Sequence, residues 1–472
     1  MPNTAASSDF QTSELRSMTP EERLVRHVCM TTYADLPADA LEAARREVLW
    51  CLGTSFAGAS APGSELVLAF ARQTGQGRST VVGHGSRIAP ALAGFANGCF
   101  AKALEFEDKW WMDYGCAYAI GTAVVPAAFA MAEELGGVSG KDLLAAVAIA
   151  TDVEARLIKV VPKAIYTGWN PSYLFAAFGA AIAAGRLLRL NGTQMHHALG
   201  LAYAQAAGNR QSMLEGVLGN RLQMGFAVRN GVSAAQLAAL GVTGAGEFLT
   251  GKFGLYALFF KDEEQRLEAL TDNLGGHFLG SDLGFKAYPC CAATHPALDA
   301  IQSILGDSDF RPERVESVAI FGSERMRITV EPRELRQVPK TQADAQFSMA
   351  WSAACLIVDR RLRLSHYTDA TLGQQPYAAL SAKVQTHLAL DRERVSVEIC
   401  LDGGCKLHSS TVQAPKGHPE NPLSIEEIID SYRDCVKHGP KSLPEAQTEQ
   451  AMSLILQLQD VADVAEVIRL LA

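Results

Sequence analysis

Before residue 276 the sequence is dominated by segments with helical spacing of apolar residues, and this pattern sharply limits the folds open to the chain. Two of the segments, FAAFGAAIAAGRLL from Phe175 and GLAYAQAAG from Gly200, are rich in alanine and glycine. A helix that is apolar on all sides belongs in a protein interior, so both predict central, buried helices. No fixed repeat of solenoid length is present, which argues against a stacked-repeat architecture.

The same periodicity, with its start signals, predicts the other helices of this region. They are placed at residues 41–52, 90–104, 122–134, 140–160, 172–188 and 231–240. After residue 281 the pattern changes, because residues 316–321 and 395–400 alternate as half-buried strands do. A hairpin turn at residues 402–404 leads to a further strand through Thr411 and Val412, and helices are expected at 296–305, 348–359 and 446–472.

The predicted fold class is therefore mainly α, with a large all-helical domain and a smaller α+β lid domain. The helical domain is placed at residues 19–276 and is expected to be completed by residues 425–472; the lid is placed at residues 277–424. Residues 1–18 are polar and lack the apolar stretch of a secretory signal, so they are predicted to be a disordered lead.

Charge and cysteine usage exclude several classes of function. The net charge of −9 and the lack of a basic stripe argue against nucleic-acid binding. The ten cysteines are scattered without a CxxC pair, which favours reduced thiols in a cytoplasmic protein over a disulfide framework, a zinc site or an iron–sulfur cluster. No apolar run is long enough to predict a membrane span.

Residues 101–126 combine charges with strongly apolar neighbours. Glu105, Glu107, Asp108 and Lys109 lie between an apolar helix and the pair Trp110–Trp111. Ionisable groups in apolar sequence are costly unless they are paired, exposed or used. The segment therefore indicates either a hydrated cleft or a catalytic pocket.

Two further motifs place a polar residue before a proline that opens a helix. Asn170 precedes Pro171 and His295 precedes Pro296, so both are predicted to be helix N-caps. For Asn170 capping alone is the better interpretation. His295 is balanced between capping and proton transfer, because histidine titrates near pH 7. The cations Arg210, Arg221, Arg229, Lys109 and Lys286 are candidates for binding an acidic substrate, although a solvated surface position is the more common one for an arginine.

The order of motifs resembles the MmgE/PrpD family, which includes 2-methylcitrate dehydratase, cis-aconitate decarboxylase and iminodisuccinate epimerase. The matching pieces extend over residues 24–362 and include NGCFAKALEFED (97–108), GWNPSYLFAAFGAAIAAGRLL (168–188), RNGVSAAQLAALGVTG (229–244), KAYPCCAATHPALDA (286–300) and DAQFSMAWSAACLIVD (344–359). The resemblance implies a helical domain, an α+β lid, a cleft between them and a homodimer, with no cofactor and no metal.

Within the expected cleft the chain departs from the family pattern. The Asp-Phe-Asp-Asp-Thr run reads Glu105 to Lys109, the following His-Pro reads Ala119-Ile120, and Asn170 stands in place of a histidine. The Lys-Arg-Leu-His segment reads Asn220-Arg221-Leu222-Gln223, while Thr294-His295-Pro296 is retained. From these positions the predicted catalytic residues are His295, Asp108, Lys109 and Glu105. The predicted substrate-binding residues are Arg221, Asn170, Asn220, Gln223, Lys286, Trp110 and Tyr288.

Two functions are compatible with this pattern. The favoured one is a cofactor-independent lyase or isomerase that moves a proton next to a carboxylate of a small organic acid. Its substrate is expected to differ from the usual tricarboxylates of the family, since Trp110, Trp111 and Tyr114 suggest a bulkier or more apolar ligand. The alternative is a family member that has lost catalysis and acts as a ligand-binding or regulatory protein.

Overall fold

The computed structural model describes residues 17–73, 75–113, 116–306, 310–389 and 394–472. The predicted disordered lead falls almost entirely on residues 1–16, and Tyr114 is also outside the described residues. None of the helices in the described ranges is both long and apolar enough to cross a bilayer.

Helices form most of the molecule, as the sequence predicts. In the N-terminal part they are α1 (Pro20–Met30), α2 (Ala38–Gly58), α3 (Ser64–Arg72), α4 (Pro90–Lys102), α5 (Val124–Leu135), α6 (Gly140–Lys159), α7 (Pro171–Leu174), α8 (Ala176–Leu187), α9 (Gly192–Tyr203), α10 (Gln211–Glu215), α11 (Gly219–Ala239) and α12 (Leu255–Phe259). In the C-terminal part they are α13 (His295–Leu305), α14 (Arg333–Gln337), α15 (Gln342–Gln346), α16 (Met349–Asp359), α17 (Tyr377–Ser381), α18 (Ile425–Lys437), α19 (Glu445–Leu456) and α20 (Ala465–Leu470).

The alanine-rich helix α8 lies at the centre, as predicted. The prediction for the second segment, from Gly200, is wrong in part, because α9 ends at Tyr203 and Ala204 and Ala207 are exposed. Every described residue of α8 from Ala176 to Gly185 is buried, and α11 crosses α8 at a very small separation. A Cβ atom on Gly231 of α11 would lie 2.5 Å from the carbonyl oxygen of Ala177, so only glycine permits this contact. Small side chains thus allow the two helix backbones to approach closely.

Three small sheets accompany the helices. The first pairs β1 (Ser79–Thr80) with β2 (Arg87–Ile88), and the second has the order β4 (Cys116–Tyr118), β3 (Asp108–Asp113), β5 (Leu283–Phe285). The third belongs to the lid and has the order β7 (Val384–Ala389), β6 (Val315–Ser323), β8 (Ser396–Leu401), β9 (Lys406–His408). Only the β6–β7 pair is parallel among these described strands.

Two predictions about the strands need correction. The region up to residue 276 also contains four short strands, β1 to β4, and the aromatic stretch after Asp108 forms one of them. The hairpin turn at residues 402–404 is confirmed, but its second strand is Lys406–His408. Val412 contributes only an isolated bridge to Val395.

Apolar packing divides the chain into two main cores. The larger core contains buried side chains from residues 24–285 together with residues 423–471, and the second contains residues 290–401. The apolar side chains of the C-terminal helices therefore pack with the N-terminal helices, while Asp430 and Glu427 of α18 form ion pairs with Arg363 and Lys416 of the lid. The predicted domain limits, 19–276 with 425–472 and 277–424, stay a prediction.

Candidate active site

A cavity of about 610 Å³ lies where the N-terminal helices meet the lid. One wall comes from the segment after α4, from the start of α7 and from residues 210–220; the other comes from residues 286–296, 323–328 and 412–413. The polar side chains among its lining residues are Lys102, Glu105, Glu107, Lys109, Trp111, Tyr118, Asn170, Ser172, Tyr173, Arg210, Asn220, Lys286, Cys291, Ser323, Arg325 and Gln413. Its volume suits a small organic molecule.

Strand β3 decides which residues of the charged segment face this cavity. Successive side chains of a strand point to opposite faces. Lys109 and Trp111 line the cavity, while Asp108 and Trp110 are not among its lining residues and are almost fully buried. Asp108 and Trp110 were predicted to contact the substrate, but neither lines the cavity. Trp111 has the position that was expected for Trp110. The indole nitrogen of Trp111 has no hydrogen-bond partner among the described residues.

Three lysines converge on one carboxylate oxygen. The Nζ atoms of Lys109, Lys286 and Lys102 lie 2.8, 3.1 and 3.2 Å from Oε1 of Glu107. Lys109 is 7% exposed, and the other two lysines and Glu107 are buried at least as deeply. The other oxygen of Glu107, Oε2, has no hydrogen-bond partner among the described residues. Glu107 thus organises a cluster of ammonium groups at the cavity wall.

Glu105 supplies a second carboxylate to two of the lysines. It contacts Lys102 through Oε1 and lies 3.2 Å from Lys286 through Oε2, and the ammonium of Lys286 also donates to its carbonyl oxygen at 2.7 Å. Its φ of 50° is in the left-handed region, an uncommon conformation for a residue with a side chain. Such conformations concentrate at functional sites. Among the carboxylates of the described residues, Lys109 forms an ion pair only with Glu107.

Burial and this unequal pairing affect the lysines differently. Burial lowers the pKa of Lys109. The negative charge of Glu107 raises this pKa, but the positive charges of Lys286 and Lys102 offset that effect. In Lys102 and Lys286 the two glutamates outweigh burial, so the pKa of each is raised. The three lysines hold the pKa of Glu107 well below its usual value despite its burial. Lys109 is accordingly the lysine of the cluster that most readily releases a proton.

Cations outnumber carboxylates around the cavity. Of the described residues, five cationic side chains line it, the three lysines with Arg210 and Arg325, against the carboxylates of Glu105 and Glu107. A cavity with this balance attracts anions, since the low-dielectric wall strengthens each charge.

Asp108 serves the backbone behind the cavity. Its carboxylate accepts hydrogen bonds from the amides of Ile120, Gly121 and Thr122 at 2.8, 2.9 and 3.1 Å, and from the hydroxyl of Thr122. These donors precede helix α5 and form an anion-binding turn. Burial nevertheless raises the pKa of Asp108. Asp108 thereby fixes β3 to the start of α5.

Two further carboxyl groups are buried close to Asp108. Glu47 of α2 and Glu154 of α6 have no hydrogen-bond partner for any of their carboxyl oxygens among the described residues. A Cβ atom on Gly121 would lie 2.3 Å from Oε1 of Glu47, so the carboxyl group packs directly on the turn that binds Asp108. Burial first, and then the charge of Asp108, raises the pKa of both glutamates well above the usual value. Both are therefore held in the neutral, protonated form.

Glu154→Gln is expected to remove a pH dependence of stability. Because the folded pKa is raised, the folded chain keeps this proton above about pH 4.3, where the unfolded chain loses it. Wild-type stability should consequently fall relative to the variant by up to about 1.4 kcal/mol for each pH unit above that value. Denaturant titrations between pH 5 and pH 8 measure the difference. Parallel curves for the two proteins would show that Glu154 is ionised in the fold.

His295 lies at the first position of α13 and is not an N-cap, contrary to the prediction. The cap is Thr294, and His295 is 0% exposed, with neither ring nitrogen partnered among the described residues. Burial and the charges of Lys286 and Lys109 lower the pKa of His295 to about 3, so its ring is neutral near pH 7. The neighbouring Pro296 lines the cavity and His295 does not. Its role as a proton carrier stays a prediction.

The predicted binding residues on the helices are divided between two places. Asn170 and Asn220 line the cavity; Asn170 also caps α7 by accepting from the amide of Ser172 at 3.2 Å, as expected. Arg221 donates to the carbonyl oxygen of Pro62 at 3.0 Å and is not a lining residue. Gln223 is held by a pair of hydrogen bonds to the backbone of Asn209 and is not a lining residue either.

The predicted binding residues on the lid are also divided. Lys286 lines the cavity, whereas Tyr288 lines a separate cavity and donates to Asp299 at 2.8 Å. Its ring contacts that of His295 edge to face, with centroids 5.3 Å apart. Tyr288 and His295 thus form part of the lid interior.

Sequence reasoning missed two cations of the cavity, Lys102 and Arg325. Lys102 ends helix α4, where a lysine is ordinary because it complements the helix dipole. Arg325 lies in an irregular segment after β6 with no motif around it. The sequence pointed to Glu107 only as one of three neighbouring carboxylates. The alternation of residues 107, 109 and 111, typical of a strand, would have placed Glu107 and Lys109 on one face and Asp108 on the other.

Among the described residues no group of three or more histidine, cysteine, aspartate or glutamate side chains is arranged to hold a metal ion. All ten cysteines are free thiols. Cys291 lines the cavity. Burial raises the pKa of its thiol, so the thiol is protonated near neutral pH.

Comparison with known proteins gives two matches that together cover most of the chain. The model of the MmgE/PrpD N-terminal domain matches residues 22–268, and that of the MmgE/PrpD C-terminal domain matches residues 288–458. Cis-aconitate decarboxylase of Aspergillus terreus is 26% identical over 469 residues, which cover 93% of this chain and 92% of that protein. The cis-aconitate decarboxylases of Mus musculus and Homo sapiens are each 24% identical over 90% of this chain and 88% of their own length.

Proposed function

This chain belongs to the MmgE/PrpD family, and we propose that it is a cofactor-independent lyase or isomerase acting on a small organic acid. Members of the family are lyases that act on carboxylic acids without a cofactor. The proposed reaction transfers a proton at a carbon next to a carboxylate and leads to elimination, decarboxylation or epimerisation. The observation that carries the proposal is the cavity with five cations and two carboxylates.

The lysine cluster provides the groups that such a reaction needs. Lys102 and Lys286, whose pKa values are raised, stay charged and bind the substrate carboxylate, and they stabilise the negative charge that develops when the adjacent carbon loses a proton. Lys109, with its lowered pKa, carries the proton. Arg210 and Arg325 add positive charge to the cavity lining, while Trp111 and Met213 add apolar surface, which supports a ligand more apolar than a tricarboxylate.

The test combines binding and proton exchange. A panel of di- and tricarboxylates, with monocarboxylates bearing apolar or aromatic groups, is titrated by calorimetry, and each acid is then incubated with the enzyme in D₂O. We expect at least one acid to bind and to gain deuterium next to its carboxylate, observed by NMR. Binding without exchange or turnover would favour the ligand-binding alternative. Binding only of neutral or cationic compounds would contradict both the substrate class and the lysine assignment.

Lys286→Met is expected to weaken binding of that acid by about 1.5–3 kcal/mol, the range for a hydrogen bond to a charged group. Arg221→Ala is the matched variant, because Arg221 approaches the cavity but donates to Pro62. Calorimetry on the two variants shows whether the acid is bound by the lysine cluster or by Arg221, which the sequence predicted. A larger loss in Arg221→Ala than in Lys286→Met would return the carboxylate contact to Arg221.

We also propose a homodimer formed through exposed apolar side chains of the helical part. The side chains that would form this contact are between 39% and 62% exposed. They are Leu66 and Phe70 of α3, Leu218 just before α11 and Phe226 on α11. Phe70 and Phe226 both contact the ring of Phe95, at 5.6 and 5.3 Å between ring centroids, which brings the exposed residues of α3 and α11 close together. Phe226→Glu should convert the dimer to a monomer in light scattering. A wild-type protein that is monomeric at micromolar concentration would contradict the proposal.

A further inference from the structure

The cluster around Glu107 contains an amine suited to a reaction other than simple proton transfer. Lys109 and Lys286 lie 2.8 and 3.1 Å from the same oxygen of Glu107, so their Nζ atoms are less than 6 Å apart. Lys102 lies 3.2 Å from that oxygen as well. Three ammonium groups around one carboxylate oxygen in a buried site repel one another. The lysine with the weakest pairing to carboxylates is therefore the easiest of the three to deprotonate.

The contacts identify which amine this is. Lys102 and Lys286 each contact both Glu105 and Glu107, whereas Glu107 is the only carboxylate among the described residues that contacts Lys109. Lys109 also lies on β3, which fixes its side chain toward the cavity beside Trp111. An uncharged lysine amine in a dry site next to other cations is a nucleophile for carbonyl carbon.

We infer that Lys109 forms a Schiff base with its substrate, and that the substrate is a small acid carrying a ketone or aldehyde group. This inference rests on the proposed function, because the same cluster must first bind the carboxylate. Lys102 and Lys286 hold that carboxylate, and the carbonyl carbon of the bound acid then faces the amine of Lys109.

The step is balanced without any further reactant. The amine of Lys109 attacks the carbonyl carbon, a C–N bond forms, and the carbonyl oxygen takes up the proton that the lysine ammonium had released. A second proton transfer from nitrogen to oxygen expels water and leaves a protonated imine. The positive charge that Lys109 carried is retained on the imine nitrogen, so Glu107 keeps its counterion throughout. The imine withdraws electrons from the adjacent carbon, which then loses CO₂ or a proton more easily.

The experiment traps the imine chemically. The full-length protein is incubated with pyruvate, acetoacetate or levulinate and reduced with cyanoborohydride, and the intact mass and the modified peptide are determined. We expect one reduced adduct per chain, located on Lys109, and no adduct with lactate, which lacks the carbonyl group. Lys109→Arg should abolish the adduct, since a guanidinium keeps the charge but stays protonated.

The controls separate this inference from the proposed function. Lys252→Arg, a change of an exposed lysine distant from the cavity lining, should leave the adduct on Lys109 unchanged. If oxo acids bind by calorimetry but leave no adduct, or modify exposed lysines only, the Schiff base is wrong and the lyase proposal stands. If no carboxylic acid of any kind binds, the proposed function is wrong and the Schiff base falls with it.

Discussion

Lys109→Met is expected to lower the rate of deuterium exchange into the bound acid by about 100- to 10,000-fold, the range for loss of a general acid or base. Methionine preserves most of the apolar length of the side chain and removes the amine. The large effect follows from the position of Lys109, which lines the cavity from β3 and has a pKa lowered chiefly by burial. Exchange is measured by NMR on the wild type and the variant with the same acid.

Lys109→Arg and Lys102→Arg are the matched comparisons. Arginine retains a positive charge in either place and does not release a proton, so it should rescue binding at position 109 without rescuing exchange. At position 102, where charge is the proposed requirement, arginine should retain most of the exchange rate. Equal exchange rates in wild type and Lys109→Met would assign proton transfer to another group, with His295 as the next candidate.

Glu107→Ala is expected to destabilise the protein by about 3–5 kcal/mol at pH 7, the cost of removing one partner of a buried ion pair. Glu107 is 2% exposed and is the common partner of Lys102, Lys109 and Lys286, which would then face one another with Glu105 as the remaining carboxylate. Urea denaturation monitored by circular dichroism gives the free energy of unfolding.

The pH dependence of that loss distinguishes charge from packing. The lowered pKa of Glu107 stabilises the fold above the unfolded value of about 4.3, and this stabilisation is lost as the pH falls below it. The difference between wild type and Glu107→Ala should therefore shrink toward pH 3. A difference that is constant with pH would mean that the variant suffers only from a cavity.

Most of the fold could be predicted because the helices carry strong local signals. The periodic segment 140–160 became helix α6 (Gly140–Lys159), and Ser139 caps it by accepting from the amide of Asp142. The segment 172–188 became two helices, α7 and α8, which are separated at Phe175. The apolar pattern continues through Phe175, so it did not mark this break.

Several segments predicted for the candidate site line the cavity, but not every side chain predicted on them does, and the site assignments stay predictions. Trp110 was selected where Trp111 lines the cavity, because the sequence alone did not reveal that residues 108–113 form a strand. Lys102 and Lys286 both contact Glu107, although Lys286 lies far from the other two residues in the sequence. No local pattern encodes that contact, since it depends on how β5 pairs with β3.

The alternation along β3 has a consequence for how this protein can diverge. One face of the strand carries Lys109 and Trp111 to the ligand, while the other carries Asp108 and Trp110 to the scaffold. Substitutions at residues 109 and 111 can thus alter ligand selectivity while the buried contacts of Asp108 and Trp110 are kept. A single-residue insertion ahead of Asp108 would exchange the faces and bury an ammonium in the hydrophobic interior. We therefore expect homologues to vary in residue identity along this strand, and to conserve its spacing from Glu105 without insertion or deletion.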